Sequence, residues 1–173
     1  VGMLFTAKSP ITGWRFNTLL ATTHIALCDV PKRLNTKLIH AKLDLLKKFC
    51  ITYNERPTLK VAGLNPHAGE EGILGNEEKD WLCDALIAWN EINKDIRLLG
   101  PLSPDSCWNS SAQAWRHKNT EIHDGILAMY HDQGLIPMKA IALNYSVNTT
   151  IGLPFVRTSP DHGTGFDIAD KGI

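Results

Sequence analysis

The stretch Ile126-Leu127-Ala128-Met129-Tyr130-His131-Asp132-Gln133-Gly134-Leu135-Ile136-Pro137-Met138-Lys139 decides the fold. Ile126 to Met129 is a short unbroken apolar run, which reads as a buried strand. It stops on a His-Asp pair, with Gly134 and Pro137 close behind. In an α/β protein, ligands gather at the carboxyl ends of strands. A histidine placed there can offer a neutral ring nitrogen to a metal, and a neighbouring carboxylate can orient it or take a proton. The plainer alternative is a histidine that caps a strand-to-helix turn.

Two further histidines repeat the pattern. His24 ends the run Leu19-Leu20-Ala21-Thr22-Thr23, and His67 follows Lys60-Val61-Ala62-Gly63-Leu64 in Asn65-Pro66-His67-Ala68-Gly69-Glu70. Three protein ligands with positions left open is how a catalytic metal site is built, whereas a structural site is closed by four. The three lie 43 and 64 residues apart, so only the fold can unite them.

The rest of the pattern alternates strands and helices. Residues 1–5 and about 17–23 read as strands, with turn chemistry in Lys8-Ser9-Pro10-Ile11-Thr12-Gly13 between them. Asn35 is a cap for a helix over Thr36 to Cys50, whose apolar face is Ile39, Leu43, Leu46 and Cys50. A strand from Arg56-Pro57 carries Leu59 to Leu64. Asn76 caps a helix to about Lys94, with Leu82, Ala85, Leu86, Trp89 and Ile92 as its buried stripe and Glu77 and Glu78 in a first turn that favours acids. Ile96 to Leu99 is a short strand. Residues 106–123 read as a polar surface insertion in which His117 and His123 are incidental. A helix covers Asp132 to about Ile141. Residues 147–152 and 154–157 are strand-like, and 163–169 opens a further helix. This order predicts a three-layer α/β/α fold with a largely parallel sheet. No G-x-G-x-x-G occurs, so a Rossmann fingerprint is unsupported.

Composition narrows the function. With 173 residues, 43% of them hydrophobic, and zero net charge, the chain lacks the basic stripe of a nucleic-acid binder. No apolar run approaches a membrane span, and without a basic n-region and apolar core at its start no signal peptide is expected. Cys28, Cys50, Cys83 and Cys107 form no C-x-x-C and read as reduced, mostly buried thiols of a cytoplasmic protein.

Ala21-Thr22-Thr23-His24, Gly63-Leu64-Asn65-Pro66-His67-Ala68-Gly69-Glu70, Met129-Tyr130-His131-Asp132-Gln133-Gly134 and Gly152-Leu153-Pro154-Phe155-Val156-Arg157-Thr158-Ser159 together resemble the 4-hydroxythreonine-4-phosphate dehydrogenase family of vitamin B6 biosynthesis. The resemblance implies an isocitrate/isopropylmalate dehydrogenase-like fold. It implies NAD- or NADP-dependent oxidation and decarboxylation of 4-phosphooxy-L-threonine, assisted by a divalent metal (zinc, magnesium or cobalt) on His24, His67 and His131. Lys139, Asn148 and Arg157 match the family's substrate-binding residues. Asp132 and Asp105 are candidates for a proton acceptor or an orienting carboxylate. His162 matches a motif near the cofactor region. A cytoplasmic homodimer is implied, with no nucleic-acid or membrane partner.

Family members are about twice as long as this chain, enough for two domains. Residues 1–148 are expected to form nearly the whole metal- and substrate-binding middle domain, and 149–173 the start of the return to a second domain. The family's His-Thr substrate pair would lie just upstream of Val1, and Asp170 stands where glycine is usual. With one cleft wall absent, this stretch is expected to fold but to be a poor dehydrogenase. Paralogues acting on threonate or erythronate 4-phosphate share the motifs. A catalytically silent domain and a zinc hydrolase are the remaining readings, the latter weakened by the lack of an H-E-x-x-H helix.

Overall fold

The computed structural model describes residues 1–118, 122–160 and 171. The chain runs β1 (Gly2–Lys8), β2 (Arg15–Leu20), α1 (Val30–Arg33), α2 (Thr36–Cys50), β3 (Thr58–Ala62), α3 (Cys83–Ile92), β4 (Arg97–Leu102), α4 (Asn109–Arg116), β5 (Gly125–Ala128), α5 (His131–Ala142), β6 (Val147–Ile151) and β7 (Arg157–Pro160). One seven-stranded sheet has the order β4-β3-β5-β2-β1-β6-β7.

The sheet is mixed. β4, β3, β5 and β2 are mutually parallel, while β1, β6 and β7 add on antiparallel. The tight turn Ser9–Gly13 is the reason. It closes through Ser9 N–H to Trp14 O and Gly13 N–H to Ser9 O, and a turn this short joins only antiparallel strands. The parallel half holds the strand ends that carry His24, His67 and His131.

Strand periodicity sorts residues to two cores. Leu4, Leu19, Val61 and Leu127 pack under α2 and α3 on one face, while Phe5, Leu20, Ala62 and Ala128 pack under α4 and α5 on the other. This is the α/β/α sandwich. All four residues of β5 are buried, as its unbroken apolar run predicts.

Asn35 caps α2 by accepting the Leu38 N–H at 3.0 Å, and Ile39, Leu43, Leu46 and Cys50 are all fully buried. Each buried aliphatic side chain contributes about 1.5–3 kcal/mol by leaving water. On the opposite face, Gly134 lets α5 approach the sheet. A β-carbon there would lie 2.6 Å from Leu20 Cδ2 and 2.9 Å from Thr18 Cγ2.

Several expectations are corrected. Residues 106–123 are no surface insertion: α4 lies within them, and Cys107, Trp108, Ser111, Ala114, Trp115 and His123 are buried. Ile92 is 83% exposed because α3 ends there and turns its last residue to solvent. Residues 154–156 are not strand; β7 starts at Arg157, after Gly152 turns the chain with φ of 83°. Cys50 and Cys107 are buried, but Cys28 is exposed and Cys83 half-buried. β6 pairs with β1 from Val147 to Ile151. The helix expected at 163–169, together with His162 and Asp170, lies outside the described residues. Among the described residues, no helix is long and apolar enough to cross a membrane.

Candidate metal and substrate site

β2 and β5 continue to pair just past their ends. Ala21 N–H donates to Ala128 O at 2.8 Å, and Thr22 N–H and Oγ1 both donate to Met129 O, at 3.2 and 2.7 Å. The chain then delivers His24 from one strand and His131 from the other. Their ring centroids are 5.4 Å apart. A zinc–nitrogen bond of about 2.0–2.1 Å puts a ligand's ring centroid roughly 3.2 Å from the ion, so two ligands at the tetrahedral angle have centroids about 5.2 Å apart. The pair therefore has the spacing of two imidazoles sharing one ion.

His131 is the first residue of α5, and its Nδ1 lies 2.8 Å from Asp132 Oδ1. An ionised carboxylate only accepts, so Nδ1 carries the proton. In the neutral ring this leaves the Nε2 lone pair for a metal. The two histidines face a cavity of about 340 Å³ lined also by Thr23, Ile25, Leu27, Tyr130 and Asp132. Asp132 and Tyr130 further line a neighbouring cavity of about 430 Å³, with Asp105, Trp108 and Gln133. Asp105 accepts from Ser103 Oγ at 2.5 Å. That bond, backbone amides and the nearby His67 hold its carboxyl below the usual range.

His67 stands apart from this pair. It opens a run of five left-handed residues, His67 to Glu71, with φ between 44° and 80°. Four of these are not glycine, and each costs about 1–2 kcal/mol relative to ordinary backbone. Glu78, only 3% exposed, clamps the start of the loop: its carboxylate accepts from Leu64 N–H, Asn65 N–H and Asn65 Nδ2 at 2.7–2.8 Å. Among the described residues, no three His, Cys, Asp or Glu side chains gather closely enough to hold an ion. The fit to a metal thus rests on two imidazoles, with His67 on an adjacent strand end.

The three other candidates lie elsewhere. Lys139 is eight residues along α5 from His131, a rise of about 12 Å. Asn148 pairs with Phe5 in register, which puts its side chain on the α5 face of the sheet. Its Oδ1 is buried without a hydrogen-bond partner among the described residues. Arg157 is exposed on β7 and donates to Thr150 Oγ1 at 2.8 Å.

The pyridoxal phosphate biosynthetic protein PdxA family matches residues 1–173. The chain belongs to that family. A 4-hydroxythreonine-4-phosphate dehydrogenase of Synechococcus sp. is 56% identical over 98% of this chain and 52% of its own length. The crystal structure of 4-hydroxythreonine-4-phosphate dehydrogenase from Klebsiella pneumoniae superposes with a TM-score of 0.75 at 36% identity, over 97% of this chain and 47% of that one. Isocitrate dehydrogenase from Methylococcus capsulatus shares the fold, with a TM-score of 0.60 at 17% identity over 99% of this chain and 54% of that one. The chain spans about half the length of the relatives it matches.

Sequence reasoning on this PdxA-family chain missed three side chains that build the site: Thr22, Glu78 and Gln133. Gln133 is 7% exposed. Its Oε1 accepts Met129 N–H and its Nε2 donates to Gly63 O, both at 2.7 Å. A polar residue two positions beyond His131, on the first turn of a helix against the sheet, was the available signal. Glu78 looked like an ordinary acidic first-turn residue.

Proposed function

We propose that the chain is the metal- and substrate-binding part of a 4-hydroxythreonine-4-phosphate dehydrogenase. This enzyme would oxidise the C3 hydroxyl of 4-phosphooxy-L-threonine with NAD or NADP and release carbon dioxide from the resulting β-keto acid. The observation that carries the reading is the His24/His131 pair at ligand spacing on adjacent strand ends, in a chain 56% identical to a relative of that name. Residues 1–148 would be its middle domain and 149–173 the return towards a second. A cytoplasmic homodimer completes the reading.

His24, His67 and His131 would hold a divalent ion such as zinc, magnesium or cobalt. When bound, the ion supplies Lewis-acid stabilisation of negative charge developing on a substrate oxygen. Asp132 orients the His131 ring through Nδ1. Asp105, which faces the neighbouring cavity, would serve as proton acceptor. Lys139, Asn148 and Arg157 would bind the phosphate and carboxylate, the lysine as a point charge and the arginine as a planar fork.

The test is a steady-state assay with 4-phosphooxy-L-threonine, NAD or NADP, and added zinc, magnesium or cobalt. It compares a protein of the relatives' full length with its His24→Ala and His131→Ala variants. Turnover that collapses at least a hundredfold in both variants supports the proposal. Full activity in either variant, or no turnover of this substrate, overturns it.

A further inference from the structure

We propose that the Gln133 side-chain amide is a positioning element that sets the His67 loop in register with the His24/His131 pair. The inference rests on the metal-binding reading above and adds to it a residue with no part in ligation.

β3 and β5 pair in parallel up to Val61↔Leu127. Two residue pairs later, the Gln133 amide spans the gap, with its acceptor on Met129 N–H and its donor on Gly63 O. It thus takes the place of the ladder bonds that have run out. Met129 is the hub, because its carbonyl is held from the other side by Thr22. Thr22 lies two residues before His24, Met129 two before His131, and Gly63 four before His67. Two side chains therefore stitch together the three strand ends that each lead to one histidine.

The amide alone among natural side chains of this size donates and accepts in this geometry at every pH. Both backbone groups are buried with it, so removing it leaves them without partners. Beyond Gly63 the next contacts are the Glu78 clamp on Leu64 and Asn65 and then the left-handed run. Gln133 consequently fixes the stem on which His67 stands, and Glu78 fixes the direction in which the loop leaves it. Gly63 itself has no room to spare: a β-carbon there would lie 3.1 Å from Ala68 and from Glu78 Oε1.

The experiment uses the 173-residue chain, cobalt(II) as probe, and the Gln133→Leu substitution in the unsubstituted and His67→Ala backgrounds. Orienting residues around metal sites are typically worth about 10–100-fold in affinity. Cobalt binding should weaken by about that factor in Gln133→Leu, with a matching loss of d–d absorption intensity. In the His67→Ala background the same substitution should change affinity by less than about threefold, since Gln133 acts through His67. Equal losses in both backgrounds would overturn the proposal. Hydrogen exchange is read alongside and needs no metal. The Leu64 and Asn65 amides, neither bonded to Gln133, should exchange at least about tenfold faster in Gln133→Leu, while Leu43 on α2 stays protected. Unchanged exchange at Leu64 and Asn65 would also overturn it. If the unsubstituted chain binds no cobalt, the metal reading fails separately and the exchange result alone decides the role of Gln133.

Discussion

Lowering the pH from 7 to 5 should weaken this fold by about 2 kcal/mol through one side chain, His123. The ring is fully buried. Its Nε2 meets Ser111 Oγ at 3.2 Å, and Trp14 packs edge-on with ring centroids 5.1 Å apart. Burial pushes its pKa down to about 3 from 6.5, and the charge of Lys60 adds to the effect. A depressed histidine favours its neutral form in the folded state, so the unfolded chain binds the extra proton. Stability is therefore complete above pH 6.5 and falls as the pH drops towards 3. Each unit inside that window is worth about 1.4 kcal/mol, which gives about 2 kcal/mol at pH 5 and about 3 at pH 4. Asp95 and Asp105, whose carboxyls hydrogen bonds hold below the usual carboxylate range, add little between pH 7 and pH 5. The assay is urea unfolding followed by tryptophan fluorescence at pH 7 and pH 5, on the protein and on His123→Phe. The variant should start less stable, because Ser111 loses its partner, yet lose far less on acidification. Equal losses in the two proteins, or a His123 ring resonance that titrates near pH 6.5, would refute the reasoning.

Gly134→Ala should destabilise the protein by about 1–3 kcal/mol in urea titrations, because the added methyl meets Leu20, Thr18 and Ala128 at 2.6–3.1 Å and must lift α5 from the sheet. An unchanged midpoint would show that α5 can shift without cost. Asn35→Ala should cost about 1 kcal/mol by removing the cap on Leu38 N–H, read from the same titration. Asp132→Asn keeps an acceptor for His131 Nδ1 but removes its charge. Calorimetry should show cobalt binding weakened by about tenfold or more, and unchanged affinity would remove Asp132 from the site.

Much of this was legible where the chain speaks locally. The Asn35 cap and the Ile39-Leu43-Leu46-Cys50 stripe place α2 to the residue, because cap and periodicity agree. Three apolar runs each lead to a histidine, and the fold brings two of these, His24 and His131, together. Residues 106–123 read as surface because polar side chains surround and anchor their buried apolar residues, Cys107, Trp108, Ala114 and Trp115. Ser111 meets His123, and Ser9 and Thr12 reach across from the β1–β2 turn to the Trp115 and Ala114 carbonyls. Such side chains look solvated until their partners, some 100 residues away, are known. The pairing of the antiparallel strands is hidden for a related reason: strand patterns mark β1 and β6, but not that Phe5 faces both Thr18 and Asn148. Glu78 works by bonding the Leu64 and Asn65 backbone amides, and such bonds carry no sequence signature.

The run from His67 to Glu71 has a consequence for chirality itself. Its four non-glycine residues hold the mirror image of the helical backbone that L-amino acids prefer. A D-alanine at position 68 would be at ease there, and a semisynthetic chain carrying it should be the more stable one. Among the natural residues, the same reversed handedness admits glycine and asparagine and shuts out valine, isoleucine and threonine, whose branched β-carbons collide with the backbone. The chemical variety open to this loop is thus set by the handedness of its turn before any ligand arrives.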